Sequence, residues 1–306
     1  MLQIIIFSFN RAMQLDTLLT SFCKHWKSPS YQVDVIYNTS DKYFQKGYQR
    51  LMEKFGKSET ILFHKESKGC TPYKISEIIG NLRNAKRFFV NPRIRNPKSN
   101  FRQMLIELME QSKAKEVMFM TDDAMYINDV DVTESMIEWL ESSSRHRQIS
   151  LRLGAGMNNQ PSNVRVGADG LMKWKMSDVN HMTNWGYRFS VDAHIYDKQL
   201  ILEYYKKCIF INPNTLEGYI ENMLYKQGLV NETISFSKPM LLSFPINMVQ
   251  NESDNEHLGV DCEKLNRMYL DRYELVYPVP EDICMFQVYP ETLSLFKDGK
   301  ETVIKI

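Results

Sequence analysis

The sequence predicts an α/β protein with a mixed, mostly parallel sheet flanked by helices, folded as one compact domain. Two observations carry that expectation. From its start, apolar strands alternate with segments of helical period, the pattern of successive βαβ units. At mid-chain the run Val117 to Met120 is apolar throughout, as in a strand covered on both faces, and it stops at Asp122 and Asp123. In an open α/β sheet, ligands bind beyond such strand ends.

The elements follow in order. Leu2 to Ser8 reads as a strand, and from Arg11 apolar residues recur at Met13, Leu15, Leu18, Leu19, Phe22 and Trp26, close to helical period. Gln32 to Tyr37 is a strand, Ser40 to Phe55 a helix and Thr60 to His64 a third strand. Asn91-Pro92 and Asn96-Pro97 mark turns in a basic loop, and a helix capped by Ser99 or Asn100 carries Phe101, Met104, Leu105, Leu108 and Met109 at 3–4 spacing. After the central strand come a short strand at Met125 to Ile127, a helix from Asp131 to Leu140 and a strand from Gln148 to Leu153. Residues 154–184 are richer in Gly, Asn, Pro and Met, with one strand at Leu171 to Met176, and read as a substrate-shaped or flexible region. Helices at Lys198 to Lys207, after Asn212 and at Asp261 to Asp271, with two short strands between Ile234 and Asn247, complete the chain. The pattern divides the single domain into two halves, 1–127 and 128–306.

The totals exclude some functions. Thirty-eight Lys and Arg stand against 37 Asp and Glu, a net charge of +1, so no global field favours nucleic acid. No apolar run reaches bilayer-spanning length, and Met1 to Phe9 lacks the basic region and cleavage site of a signal peptide. Five cysteines, odd in number and without metal-type spacing, suggest free thiols in a reducing cytoplasm. On that expectation the glycosylation-type triplets at Asn38, Asn231 and Asn251 are chance matches. Between Ile78 and Arg102 there is no acid but seven bases, including Arg83. Such a segment is either a solvated basic loop or a peripheral contact for an anionic membrane or a diphosphate.

Several residues stand out chemically. Adjacent carboxylates at Asp122 and Asp123 repel one another; they either open a turn or share a hard divalent cation such as Mg²⁺. The turn Ser8-Phe9-Asn10-Arg11 puts a hydroxyl, an amide, a guanidinium and backbone N–H groups at a helix start, where a base, ribose or phosphate can bind; Ser and Asn serve equally as ordinary caps. Arg152 lies inside an apolar strand and is therefore paired or aimed into a site. Asp192 and His194, two apart, share a face if the segment is extended, and with Trp185 they are candidate substrate contacts. Glu217 is either the third residue of a helix capped by Asn214 or a carboxylate placed as a general base.

In this order of parts the chain resembles the GT-A glycosyltransferases, whose fold is Rossmann-like, and more particularly their family 2-like bacterial members. The resemblance rests on Ser8-Phe9-Asn10-Arg11 ending the first strand, Asp122-Asp123 where that class carries its DxD-type motif, and the helix-opening acid of Asn214-Thr-Leu-Glu217. It implies a nucleotide pocket lined by Ser8, Asn10 and Arg11. It also implies a nucleotide-sugar-binding half, 1–127, and an acceptor-side half, 128–306, with Asp122 and Asp123 holding the ribose and the Mn²⁺ or Mg²⁺ on a donor diphosphate, and Glu217 as the base of an inverting transfer to a glycan or lipid-linked acceptor in surface polysaccharide synthesis. Here the motif reads Thr121-Asp122-Asp123-Ala124, so the frame is either Thr-x-Asp, with Asp123 as chief ligand, or Asp-Asp with a shifted metal. A dehydrogenase is excluded by the want of any Gly-x-Gly-x-x-Gly run after a strand. The remaining alternative is a non-catalytic nucleotide- or carbohydrate-binding protein of the same fold.

Overall fold

Parallel pairing of consecutive βαβ units builds the first half of the sheet. Strands β1 (Leu2–Phe9), β2 (Tyr31–Asn38) and β3 (Ile61–Lys65) alternate with helices α1 (Ala12–His25) and α2 (Lys42–Phe55). The computed structural model describes residues 1–70, 72–249 and 256–305. The segment read as a basic loop instead holds three short helices, α3 (Ile75–Ile79), α4 (Leu82–Val90) and α5 (Pro92–Arg95). Asn81 and Asn91 cap the last two through their side-chain oxygens, a local signal masked by the density of charge. Helix α6 (Phe101–Gln111) then leads into β4 (Glu116–Thr121), short strand β5 (Ala124–Tyr126), α7 (Glu134–Glu141) and β6 (Arg147–Ser150).

The rest of the chain contributes β7 (Leu171–Lys175), β8 (His194–Asp197), α8 (Lys198–Lys207), α9 (Pro213–Lys226), β9 (Glu232–Phe236), β10 (Leu241–Ser243), α10 (Cys262–Leu270), β11 (Glu274–Val276), β12 (Thr292–Lys297) and β13 (Lys300–Lys305). Eight strands form one sheet in the order β3-β2-β1-β4-β8-β6-β9-β7, so the sheet runs through both halves of the chain. Strands β1 to β4 are mutually parallel, whereas β8 pairs antiparallel with both β4 and β6. This is the mixed, mostly parallel α/β architecture that the sequence leads one to expect.

Burial explains the alternation. In β4, Val117, Met118, Phe119 and Met120 are all buried; Met118 and Met120 pack into the core with α1, while Val117 and Phe119 pack into the one under α6, α8 and α9. A third cluster joins Leu153, Met157, Trp174, Trp185 and Phe286 inside the region rich in Gly, Asn and Met. Strand β6 is shorter than expected, ending at Ser150; past it, Leu151 still donates its N–H to the Ala193 carbonyl. Gly154 then runs so close to Pro239 that a Cβ would stand 2.6 Å from the proline ring. The five cysteines are free, and among the described residues no helix is long and apolar enough to cross a membrane.

Candidate functional site

The C-terminal ends of β1 and β4 open into a cleft of about 920 Å³, lined among others by Ser8, Arg11, Asp122, Asp123, Asp192 and Glu217. Residues that stand up to 209 positions apart in the sequence therefore line one cleft. Its floor is an ionic cluster. The Arg11 guanidinium reaches Asp122 Oδ1 at 3.0 Å and Asp123 Oδ2 at 3.2 Å with the same nitrogen, and its other terminal nitrogen donates to the Asn247 carbonyl. Asp122 Oδ2 accepts from the Ser8 hydroxyl at 2.7 Å and the Phe9 N–H at 3.3 Å. Both Asp122 oxygens are thus engaged, and its side chain is only 4% exposed. Burial raises its pKa to about 6, against the pull of Arg11 and with a further push from Asp123.

Ser8 is also held by Tyr48 of α2, whose hydroxyl oxygen lies 2.6 Å away and accepts from the Arg11 N–H. Tyr48 belongs to an ordinary apolar helix stripe in the sequence, which is why it was not among the candidates. Asn247 was missed too, since it lies 236 residues from Arg11. Asn10 takes a different place from its neighbours. With φ at +56° it turns the chain out of β1, and its amide exchanges hydrogen bonds with the backbone and hydroxyl of Ser40. It thereby fastens the loop between β2 and α2, and is not itself part of the cleft lining.

A divalent cation can be tested against this donor set. Among the described residues no group of three or more His, Cys, Asp or Glu could hold an ion. Asp122 is enclosed by Arg11, Ser8 and the Phe9 N–H, so its reading as a ligand is corrected to that of a buried anchor. Asp123 is the more open acid, 13% exposed against 4%, and takes the Thr121 hydroxyl at 2.8 Å. One protein carboxylate fits an ion that completes its shell from diphosphate oxygens and water, the usual manner of Mg²⁺.

On the far wall stand Asp192 and Glu217. Arg152 donates to Asp192 Oδ2 at 3.2 Å, and Thr121 is within 3.0 Å of Asp192 Oδ1. Arg152 is 3% exposed, packs its guanidinium 4.3 Å above the Phe286 ring and does not reach the cleft. Of the two sequence readings, a nucleotide contact aimed into the site and a paired cation, the second is the one that holds: Arg152 is the cation that holds Asp192.

Helix α9 starts two residues earlier than its sequence suggests. Asn212 is the cap, Pro213 the first helical residue and Thr215 the partner in the capping box, so Glu217 has no capping duty. Its Oε1 accepts a 3.2 Å bond from the Val191 N–H, and the Ser190 side chain also hydrogen-bonds to its carboxyl group. Burial, reinforced by the negative charge of Asp192 and opposed by Arg152, pushes its pKa up to about 7.

Asp192 and His194 do not share a face. Ala193 between them has φ of +55°, which breaks the extended alternation. Asp192 turns to the cleft, and the His194 ring turns into the core with no exposed surface, its Nδ1 3.1 Å from the Asp192 carbonyl. Burial and the nearby Arg152 charge hold His194 neutral, well below its ordinary pKa. Trp185 is likewise buried, its indole N–H donating to the Asn158 carbonyl and its ring 5.1 Å from that of Trp174. Neither residue can touch a substrate in the cleft, so both expectations are corrected: apolar packing competed for these rings and won. Residues 250–255, with the triplet at Asn251, lie outside the described residues; His257 lines the cleft.

The buried neutral imidazole has a consequence for stability. A histidine whose pKa falls on folding binds its proton more readily in the unfolded chain, so stability is lost as pH drops below about 6.5. The raised carboxyls of Glu217 and Asp122 act in the opposite sense over pH 7 to 5, so the histidine's part is read by difference: on acidification from pH 7 to 5, urea unfolding is expected to show His194→Asn gaining stability relative to the wild type. An equal slope in the variant assigns the acid sensitivity elsewhere.

The cleft defines the chain's class as an α/β protein with an open cleft at the carboxyl ends of its parallel strands, where acids from both halves meet. Comparison with known proteins adds the following. The chain is similar to the crystal structure of S. aureus TarS 1–349 in complex with UDP-GlcNAc at 12% identity, covering 84% of this chain and 60% of that one, with a TM-score of 0.46. For the same fragment in complex with UDP the values are 11%, 77%, 57% and 0.43. The chain thus spans less than two thirds of those chains' length. No family model matches the sequence, and no curated protein matches it.

Proposed function

We propose that the protein is a glycosyltransferase that moves a sugar from a nucleotide diphosphate donor to a hydroxyl of a glycan or lipid-linked acceptor, with inversion. One observation carries this reading. The three segments on which the GT-A resemblance rests, Ser8 to Arg11, Asp122-Asp123 and Glu217, converge on one cleft, and Glu217 is there a buried carboxyl group with its pKa near neutrality. A pKa matched to the working pH is what a general base requires.

The chain's own groups account for the steps. Ser8, Phe9 and Arg11 shape the donor end and keep Asp122 in place. Asp123 would hold Mn²⁺ or Mg²⁺ carried with the diphosphate, where such an ion offsets negative charge on the departing group. Glu217 takes the proton of the acceptor hydroxyl as its oxygen bonds to the anomeric carbon. The bond from that carbon to the diphosphate oxygen breaks in the same displacement, and the nucleoside diphosphate leaves with its electron pair. Positioning both substrates in one cleft lowers the barrier further by removing the entropy of encounter.

A thermal-shift series of nucleoside diphosphates, each with and without Mn²⁺, combined with transfer from labelled nucleotide sugars, tests the reading. One nucleotide is expected to raise the melting temperature by roughly 5 °C near a hundredfold excess over its dissociation constant. The metal-dependent part of that shift is expected to vanish in Asp123→Asn. A shift without any sugar transfer turns the assignment to a binding protein, and no shift with any nucleotide overturns it.

A further inference from the structure

Helix α4 is built inside out. Its inward face is polar: Asn84 donates to the carbonyls of Glu77 and Lys207 and accepts from the Tyr219 hydroxyl of α9, while Arg83 and Arg87 stack on the Tyr219 ring. Its outward face is apolar. Leu82, Phe89 and Val90 of α4, seven and eight residues apart, form a stripe along it, and Ile75 and Ile79 of α3, one turn apart, extend the apolar surface; each is between 66% and 91% exposed. Large apolar side chains usually fill the inward face of a helix, and a contiguous exposed patch marks a surface that something covers.

The charge around the stripe selects what covers it. Between Glu66 and Glu107 the sequence holds nine basic residues and one acid, Glu77, which is itself paired with Arg102. Lys74, Lys86, Arg95 and Lys98 are exposed around the stripe. A second copy docked through the same face would bring like charges together. The geometry points to peripheral docking of this face on an anionic lipid bilayer, the apolar stripe entering the headgroup boundary and the bases meeting lipid phosphates.

The position suits that use. Tyr219 lies on α9, the helix that carries Glu217, and Arg93 and Lys98 line the cleft. Docking would therefore set the cleft mouth at the membrane surface, and on the glycosyl-transfer reading that is where a lipid-linked acceptor is presented. The docking itself does not depend on that reading, because it is measured without turnover.

Flotation of the full chain with phosphatidylcholine vesicles, with and without phosphatidylglycerol, is the test. The protein is expected to float only with the anionic vesicles and to be released as salt is raised. Lys86→Gln and Arg95→Gln are each expected to weaken partitioning about fivefold, and Leu82→Ser with Phe89→Ser about tenfold or more. A Phe89→Trp variant is expected to gain a blue-shifted emission on adding anionic vesicles, a readout that requires no destabilising change. Absence of flotation at low salt, or flotation unchanged in all these variants, overturns the proposal. So does a concentration-dependent dimer that Phe89→Ser abolishes while vesicles bind nothing, since the stripe would then serve a protein contact.

Discussion

Glu217→Gln is expected to lower the turnover of sugar transfer by about a thousandfold while leaving nucleotide affinity and fold intact. The amide keeps the shape and the bond to the Val191 N–H only in part, but it cannot take a proton. The same replacement is expected to make the protein more stable. An acid whose pKa rises on folding favours the folded chain at low pH, and that contribution is lost as pH climbs from the ordinary 4.5 to about 7. Above pH 7 the wild type carries a buried carboxylate beside Asp192, with Arg152 as the nearby cation and the Tyr187 ring on the same side. Removing that charge is expected to raise stability by about 2 kcal/mol at pH 8 and by little at pH 5. Wild-type activity is expected to rise with pH through about 7, as the base loses its proton. Urea unfolding at both pH values, beside a pH–rate profile, checks the pair of effects. Unchanged turnover in Glu217→Gln removes Glu217 from the chemistry, whatever the stability does.

The second large effect belongs to Arg11→Met. Burial by itself would lower the pKa of this guanidinium, but Asp122 and Asp123 outweigh it, so the group stays charged at every accessible pH. Without it, Asp122 remains buried with only Ser8 and the Phe9 N–H as partners, Asp123 loses a 3.2 Å contact, and the Asn247 carbonyl loses its donor. Removing one partner of a buried pair commonly costs about 3–5 kcal/mol, because the other charge is left uncompensated. Arg11→Met is expected to fall in that range and to lose nucleotide binding. The double variant Arg11→Met with Asp122→Asn is expected to recover at least half of the stability and none of the binding. Equal stability of the single and double variants would show that Arg11 and Asp122 do not act as a pair.

Much of the sheet was legible in contiguous residues. Strands β1 to β4 and helices α1, α2 and α6 record their burial in local periodicity, because the side that faces the core repeats every second residue in a strand and every third or fourth in a helix. The end of β4 was legible for a related reason: an apolar run cannot continue through Asp122 and Asp123 unless the chain leaves the core. Local reading failed at α4, whose polar residues face inward, and at the start of α9, where Asn212 rather than Asn214 caps the helix.

By itself, then, the sequence determined an α/β chain with acids at the end of its central strand and a carboxylate near the start of a late helix. Only the tertiary structure decided which of those acids stand open and which are enclosed. Asp122 is consumed by Arg11 and Ser8, Asp192 is turned to the cleft by the positive φ of Ala193 and held there by Arg152, and Glu217 is released by a cap two residues ahead of the one expected. The physical reason is the reach of each effect. Periodicity is set by neighbours one turn away, whereas burial, pairing and pKa depend on contacts such as Arg11 with Asn247, 236 residues apart, that exist only once the chain has folded.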